Sequence, residues 1–415
     1  MTPCGRDVDE FLSRTSTAVD VHAGSVTIVS NIARVVFFLA AGFSPSSALG
    51  DPADPPATAP PVKLTVGGYV ETYYQLNFAA PTNHITSLRG FDSRDRTFTL
   101  SNTVLDVKGE RGPVGARVAL QIGATPSTYY LAEPVLPGAN GSNATGPELW
   151  KYLQQASVAY TAGKLVVDAG LFPSPCGVEV IPIKDNWNWS RSNLFFGLPF
   201  YHTGARVAYA LGGGWTGMVH VYNGWNSVVD NNPYPSAALS ATHSSKRING
   251  QVMYFGGIER ATGVSEGKAW RHLLDGYATI AISDDFSVLA HADAGIERND
   301  FGTSGWVAAA LYGKLQLGPK LYAAARGDYF REYVAGDTGA TAAALFWPTP
   351  WIASGTATLA LQPADGISLR LELRHDRAKT EVFFGGDVAG DGLVMPFEAN
   401  RRAQNTLTLG AVAWF

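Results

Sequence analysis

The chain has 415 residues and a net charge of −4, and only 16% of its residues are charged, against roughly 25% in ordinary globular proteins. This balance provides no basic surface for nucleic acid, and no stretch approaches the roughly 18 consecutive apolar residues of a membrane-spanning helix. The two cysteines, Cys4 and Cys176, are too few for a disulfide framework or a zinc site.

Residues 1–50 are predicted to be a leader segment for export. An apolar run, 35–43, follows Arg34 and precedes small residues around Gly50, where we expect cleavage. The segment before this run is long for a leader, so the true start of the protein lies either at Met1 or further along the chain. A short buried helix is the alternative. The Pro-rich residues 51–63 that follow are predicted to be an extended linker.

From residue 64 to the end, apolar and polar residues alternate. In ISLRLELRHD (367–376) the odd positions up to Leu373 are apolar and the even positions are polar. Successive side chains of a strand point to opposite faces, so the segment predicts a strand with two very different faces. Other segments with the same period begin at Val114, Trp215, Phe286 and Trp306.

Short and long connections alternate between these strands. Short turns are predicted at GERG, AGK, ALGGG, the Asn249-Gly250 pair, SDD, LGPK and PADG. Long loops are predicted near residues 79–92, 125–149, 174–200, 227–236, 261–267, 298–304, 332–350 and 380–400. This asymmetry predicts an all-β fold: a transmembrane antiparallel β-barrel of about 16 strands over residues 64–415. A soluble sandwich or propeller is the alternative, but its core face would carry heavier side chains, and no repeat of fixed period is found.

The end of the chain carries a separate signal for an outer-membrane barrel. NTLTLGAVAWF alternates like the other strands and ends in Phe415. A terminal aromatic residue on a final strand resembles the signal that bacterial outer-membrane proteins present to the barrel assembly machinery. We therefore expect Phe415 to be an assembly signal.

The residues from Leu64 to Phe415 resemble the OmpL-like "putative β-barrel porin-2" family of bacterial outer-membrane proteins. The likeness is carried by GGYVETYYQLNF, RTFTLSNTVLDVKG, VYNGWNSVVDNNP, LRLELRHDRA and, most specifically, the block from Asp168 to Tyr209. Cys176 departs from the family pattern, as does the extension before Val35. The resemblance implies a channel-forming protein and leaves its solute open.

Charged residues on the polar face of the strands are expected inside the barrel, because Arg or Lys facing lipid at the bilayer midplane costs about 2–4 kcal/mol. There they would line a water-filled pore and tune its ion preference, or form a hydrated wall without selectivity. The candidates for the pore wall are Arg117, Arg206, Asp275, Asp293, Lys314, Arg326, Arg370, Glu372 and Arg374.

Three tryptophans are candidates for the aromatic girdles at the two membrane interfaces. Trp215 and Trp225 lie ten residues apart, which is roughly the span of a tilted transmembrane strand. Trp414 near the C-terminus is the third candidate. Packing in a core is the alternative role for these side chains.

The connection 174–200 contains KDNWNWSRSNLFFGLPF, in which aromatic residues stand among charges and amides. Its length would allow it to fold into the lumen and narrow the pore, with Glu179, Lys184, Asp185 and Arg191 as the constriction candidates. The alternative is an external loop held against the rim of the barrel.

No catalytic motif is found. His202, His220 and His291 lie near hydroxyl groups on predicted strands, but no third partner of a hydrolase triad can be assigned. We therefore expect a porin without enzymatic activity, cofactor or metal, in the outer membrane of a Gram-negative bacterium. It would let small hydrophilic solutes and ions diffuse passively. A structural or adhesive barrel with a blocked lumen, and a barrel hydrolase, are the alternatives.

The expected partners follow from that location. They are outer-membrane lipid, the barrel assembly machinery, and small polar solutes or ions, with no nucleic acid. A homo-oligomer, a trimer by analogy with general porins, is also expected.

Overall fold

The structure, a computed structural model, describes residues 60–136, 141, 144–337 and 339–415. Sixteen antiparallel strands follow one another around a closed barrel, in which each strand pairs with its sequence neighbours and the first pairs with the last. The predicted fold class is therefore confirmed. The predicted leader and most of the linker, up to residue 59, lie outside the described residues.

The strands are β1 (Lys63–Asn77), β2 (Phe98–Arg111), β3 (Val114–Ile122), β4 (Leu153–Ala162), β5 (Leu165–Pro173), β6 (Tyr201–Gly212), β7 (Trp215–Tyr222), β8 (Ser236–Ser244), β9 (Ile248–Ile258), β10 (Trp270–Ala281), β11 (Phe286–Asn299), β12 (Gly302–Gly318), β13 (Leu321–Tyr333), β14 (Trp351–Leu361), β15 (Ile367–Ala378) and β16 (Ala403–Trp414). Two short helices, α1 (Thr125–Tyr129) and α2 (Pro147–Trp150), lie between β3 and β4, and 3-10 turns occur at Ile183–Asp185 and Leu194–Gly197. No helix in the described ranges has the length and apolar character needed to cross a membrane.

The connections differ at the two ends of the barrel, which we call the turn end and the loop end. At the turn end, every connection between strands has five residues or fewer. At the loop end the connections are L1 (78–97), L2 (123–152), L3 (174–200), L4 (223–235), L5 (259–269), L6 (300–301), L7 (334–350) and L8 (379–402). Seven of these eight are long, as the alternation predicted.

The alternation in the sequence becomes an inside and an outside of the barrel. Along β15, Leu369, Leu371 and Leu373 point outward and are exposed, whereas Arg370 and Glu372 point inward and are buried. A soluble protein would bury the leucines instead, because burial of apolar surface drives its folding. The apolar outer surface is therefore suited to an apolar surrounding.

Closure removes the free edges that an open sheet would expose. Tyr69 of β1 lies opposite Trp414 of β16, and the backbone N–H of Phe415 donates to the carbonyl oxygen of Gly68 over 3.2 Å. At the turn end, Gly213 and Gly214 connect β6 to β7 with φ of 60° and 83°. Two residues at positive φ match the twist of a two-residue hairpin, and glycine adopts that conformation without strain.

Two predicted connections need correction. The loop predicted near 298–304 is only the two-residue L6, because the Asn299 side chain accepts the N–H of Phe301 over 2.9 Å and turns the chain at once. The Asn249-Gly250 pair lies within β9. The turn before it closes at Ser245, whose hydroxyl accepts the N–H of Ile248 over 3.0 Å.

Large aromatic side chains face outward in two bands near the ends of the strands. The band at the turn end contains Tyr160, Tyr209, Trp215, Phe286 and Phe415. The band at the loop end contains Phe78, Phe98, Tyr254, Trp270, Tyr329 and Tyr333. Aromatic belts of this kind mark the two interfaces of a membrane-spanning barrel.

Candidate functional site

L3 enters the interior of the barrel and reaches its far wall. It leaves β5 after Pro173, and Trp189 packs directly on Gly410 of β16. A side chain at position 410 would collide with the indole ring, so the glycine permits this close approach. The backbone carbonyl of Trp187 accepts the Tyr322 hydroxyl of β13 over 3.1 Å. L3 therefore lies across the lumen.

Carboxylates on four strands hold L3 by accepting its backbone N–H groups. The donor–acceptor pairs are Gly177–Asp275 (3.0 Å), Ile183–Glu71 (2.6 Å), Trp189–Glu372 (2.6 Å) and Asn193–Asp328 (2.9 Å). Hydrogen bonds to a charged acceptor are stronger than neutral ones, and these bonds satisfy backbone groups that are buried in the barrel.

Arginines on the same wall bind the carbonyl oxygens of L3. Arg326 donates to Ser190 over 2.6 Å and also pairs with Glu179 over 3.0 Å. Arg370 and Arg374 donate to the backbone carbonyls of Asn188 and Arg191, respectively. L3 is therefore fixed on both its donor and its acceptor groups by wall side chains of opposite charge.

Two of the four constriction candidates maintain the shape of L3 itself. The Arg191 guanidinium donates to the carbonyls of Val180, Ile181 and Trp189, all within L3. Glu179 accepts the backbone N–H of Ser192 over 2.9 Å. Both charged side chains are buried, so they do not face an aqueous passage.

The other two constriction candidates are exposed on the surface of L3. Lys184 and Asp185 form an ion pair of 2.9 Å, and their side chains are 28% and 51% exposed. An exposed pair of this kind contributes little to stability. These are therefore the L3 charges that water and ions can reach.

Asp275 and Asp293 lie at the point where L3 begins to cross the lumen. Asp275 accepts a hydrogen bond from His291 over 2.7 Å in addition to the L3 amide. Asp293 is buried, and among the described residues neither of its carboxylate oxygens has a hydrogen-bond partner. Cys176 of L3 is buried nearby, with its Sγ 3.6 Å from Sδ of Met253, and burial raises the pKa of its thiol.

The wall opposite the L3 contacts keeps charged groups open to solvent. The pairs are Arg117–Asp106 between β3 and β2 (2.6 Å) and Arg206–Asp168 between β6 and β5 (2.8 Å). The Arg117 and Arg206 side chains are 36% and 21% exposed, whereas that of Arg326 under L3 is fully buried. On the side of the barrel that L3 contacts, Lys314 of β12 is also partly exposed and stands over the ring of Tyr322 at 4.5 Å.

The nine wall candidates all lie on strands with their side chains inside the barrel, but they separate into two groups. Those in contact with L3 or buried at its base are Asp275, Asp293, Arg326, Arg370, Glu372 and Arg374. Those that stay partly exposed are Arg117, Arg206 and Lys314.

Two of the three girdle candidates need correction. Trp215 faces outward and is exposed at the turn end. Trp225 lies beyond the end of β7, where strand parity no longer applies, and packs inside against Phe255 and Trp306. Trp414 has the inward parity of β16 and packs on buried side chains of the interior, while its neighbour Phe415 is 77% exposed.

The loop end of the lumen is filled by side chains from several loops. Aromatic residues of L1, L2, L3 and L7 pack together there, in pairs that include Phe91–Phe195, Tyr129–Phe200 and Phe196–Trp347. Glu133 of L2 accepts the Tyr201 hydroxyl over 2.7 Å and the N–H of Val228 in L4 over 2.9 Å. Burial raises the pKa of the Glu133 carboxyl.

The histidines considered for hydrolysis are enclosed. His202 lies 3.1 Å from the Ser174 hydroxyl, but it is fully buried beneath the stacked Tyr222 ring and its other nitrogen meets the Gly224 carbonyl. His220 is also buried, against Ser240. Within the described ranges, no three His, Cys, Asp or Glu side chains gather in a way that could hold a metal ion.

Sequence reasoning missed Glu71 as a residue that positions L3. Its parity in GGYVETYYQ places it on the polar face of β1, so the signal was present. The partner, however, is the backbone of Ile183, far away in the sequence, and alternation carries no information about it.

Comparisons with known proteins agree with the barrel. The sequence profile described as "Putative beta-barrel porin-2, OmpL-like" matches residues 63–415. No curated protein matches the chain. The solved structures that resemble it include the trimer form of OmpT, an outer membrane protein of Vibrio cholerae, with a TM-score of 0.54 and 9% identity over 85% of this chain and 99% of that one.

Two further structures have similar scores. An anion-selective porin from Comamonas acidovorans has a TM-score of 0.53 and 11% identity, covering 86% of this chain and all of its own. The outer membrane channel DcaP of Acinetobacter baumannii has a TM-score of 0.51 and 12% identity, covering 85% and 97%. At such low identity these likenesses show a shared fold alone.

Proposed function

Since the chain belongs to the OmpL-like family described as "Putative beta-barrel porin-2", we propose that it is an outer-membrane porin for the passive diffusion of small hydrophilic solutes and ions. The family and the barrel fold support a bacterial outer membrane as its location. The leader over 1–50 and assembly through Phe415 belong to the same proposal, as does the absence of enzymatic activity.

One observation supports the proposal: L3 covers the charged side chains of one wall of the lumen and leaves those of the other wall partly exposed. Wall charges beneath L3 are buried, whereas Arg117 and Arg206 on the opposite wall stay partly exposed together with their aspartate partners. In this proposal the aqueous passage runs between L3 and the wall formed by β2–β7. Lys184 and Asp185 are the L3 charges that border it.

The mechanism is physical. Water in the passage replaces the hydrocarbon barrier, L3 sets the diameter, and the charges that border the passage bias the permeating ions. The outward apolar surface and its two aromatic bands match a bilayer. The long loops then face the exterior and the short turns face the periplasm.

Planar-bilayer recording of the purified, refolded protein tests this function. We expect discrete conductance steps, and a reversal potential in a salt gradient that reports the ion preference. A protein that inserts without producing any step, at any salt concentration, would exclude the porin proposal.

A second candidate is a barrel with a blocked lumen and a structural role. The aromatic packing of L1, L2, L3 and L7 at the loop end favours it. The same recording separates the two candidates, since a blocked barrel gives no conductance while still migrating as a folded protein.

The proposal extends to a homo-oligomer. The OmpT structure from Vibrio cholerae is described as a trimer, and this chain shares its fold. Mass measurement of the detergent-solubilised protein, corrected for bound detergent, should give a multiple of the monomer mass. A monomer mass at all protein concentrations would contradict this part.

A further inference from the structure

The outward face of the barrel carries charge of one sign only. By strand parity, no Asp or Glu points outward along any of the sixteen described strands, whereas four arginines do. These outward-facing arginines are Arg111, Arg298, Arg331 and Arg377. Three of the four lie at the loop end, on β11, β13 and β15, and Arg111 lies alone at the turn end.

The three arginines at the loop end are free to bind a ligand. Arg298, Arg331 and Arg377 are exposed, and in the described part of the chain none of their guanidinium groups makes a hydrogen bond or an ion pair. Arg331 lies opposite Trp351, and Arg377 lies opposite Ala353, two residues along the same strand. Neighbouring strands are about 4.8 Å apart and each residue advances about 3.4 Å along a strand, so the two-strand, two-residue offset puts the Arg331 and Arg377 backbones roughly 12 Å apart.

These arginines lie at the level of an aromatic band. The Tyr329 and Trp351 rings stack outward with their centres 6.3 Å apart, beside Arg331. Aromatic side chains at this position mark the depth of the lipid headgroups. Free guanidinium groups at headgroup depth are suited to phosphate, which they bind through paired N–H donors.

An outward groove of about 600 Å³ begins at His375, two residues before Arg377 on β15. Its lining includes Phe78, Gly355, Leu373, His375 and Asn405. A side chain added at Gly355 would extend into open space, so the glycine keeps the groove open. Among its outward-facing side chains, His375 and Asn405 are polar, and Nδ1 of His375 shares a hydrogen bond of 2.8 Å with Oδ1 of Asn405.

We propose that the outward surface of β13–β16 at the loop end binds a phosphorylated glycolipid of the outer leaflet. Arg331 and Arg377 hold its phosphate groups, and the groove floored by Gly355 receives an acyl chain. His375 and Asn405 would form hydrogen bonds with a sugar hydroxyl or an amide of the glycolipid. The inference rests on the proposed membrane location and not on conductance.

Charge complementarity selects this occupant. A zwitterionic headgroup would place its own cation beside the guanidinium groups. The outward strand surface of a second copy of this barrel would offer no carboxylate to pair with them, because its described strands carry arginines there and no Asp or Glu. An anionic phosphate is attracted to each arginine without such a competing charge.

Lipid binding to the refolded protein in neutral detergent tests the proposal, with diphosphoryl lipid A as the probe and native mass spectrometry as the readout. The variant Arg331→Gln/Arg377→Gln should weaken binding on the order of thirtyfold. Arg111→Gln, which removes the outward arginine of the turn end, is the matched control and should bind as wild type. Gly355→Leu should weaken binding by filling the groove while the arginines stay in place.

Three results would overturn the proposal: equal binding of dephosphorylated lipid A, an equal loss in Arg111→Gln, or full competition by inorganic phosphate at the same concentration. The last would mean a simple anion site without a lipid. Folding is checked by the heat-dependent shift in gel mobility. Conductance of the variants in phosphatidylcholine bilayers should equal that of the wild type, so a failed porin proposal and a failed lipid proposal give different results.

Discussion

Arg326 shows how a charged residue on the wall acts as an anchor. It lies between the carboxylates of Glu179 and Asp328 and donates to the backbone of Ser190, with no exposure to solvent. Removing it would leave two buried carboxylates without their counter-charge. Loss of one partner from a buried ion pair costs about 3–5 kcal/mol.

Arg326→Met should therefore lower the free energy of unfolding by about that amount in a urea titration of the refolded protein. Arg117→Met breaks the more exposed pair with Asp106 and should cost at most about 1 kcal/mol. Equal losses in the two variants would contradict the anchoring role of Arg326.

Lys184 should act on ions rather than on stability, because it is exposed and its ion pair is weak. Lys184→Glu places two carboxylates side by side with Asp185 on the water-facing surface of L3. We expect the reversal potential in a salt gradient to shift toward cation preference, with the free energy of unfolding within about 1 kcal/mol of wild type. Lys184→Gln should give an intermediate shift. Unchanged reversal potentials would place this part of L3 away from the passage.

At the scale of the element, L3 is held as a unit. Its backbone is bound by Glu71, Asp275, Asp328 and Glu372, which come from four different strands. Without L3, these carboxylates would need hydrogen bonds from water or from other wall side chains. The contacts that hold L3 inside the barrel therefore also supply hydrogen-bond donors to these four carboxylates.

Cys176 reports whether L3 stays in place. Its thiol is buried against Met253, and burial raises its pKa, so two factors suppress the reactive thiolate. In a Cys4→Ser background, maleimide should label Cys176 slowly in the folded protein and rapidly in denaturant. Asp275→Asn, which weakens the bond to the Gly177 amide, should speed labelling of the folded protein. Fast labelling of the unchanged protein would mean that L3 is not anchored.

At the scale of the whole molecule, alternation was sufficient to predict the barrel because the two sides of its wall meet different surroundings. In β15 each leucine faces outward and each charged residue faces inward, as the period of two requires. The same rule placed all nine wall candidates inside. The rule was wrong near residues 298–304, where it predicted a long loop. In the structure β11 continues to Asn299 and L6 has only two residues.

Alternation could not predict which inward charges stay hydrated. Arg326 and Arg117 follow the same pattern in the sequence, yet L3 covers the first and leaves the second exposed. That difference depends on contacts between residues far apart in the chain. Trp225 was misplaced because it lies outside a strand. The inward position of Trp414 could have been predicted from the sequence. Adjacent strand residues point to opposite faces, and the neighbouring Phe415 faces outward.

We propose that L3 lies within a conducting lumen and limits its width. The role of L3 is tested by measuring the single-channel conductance of the wild type and of a variant in which a short Gly-Ser linker replaces residues 180–198. We expect the wild type to conduct and the variant to conduct more, because the replaced residues occupy the lumen. A variant with the conductance of the wild type would show that L3 does not limit the width of the lumen, and a wild type that never conducts would show that the lumen is closed.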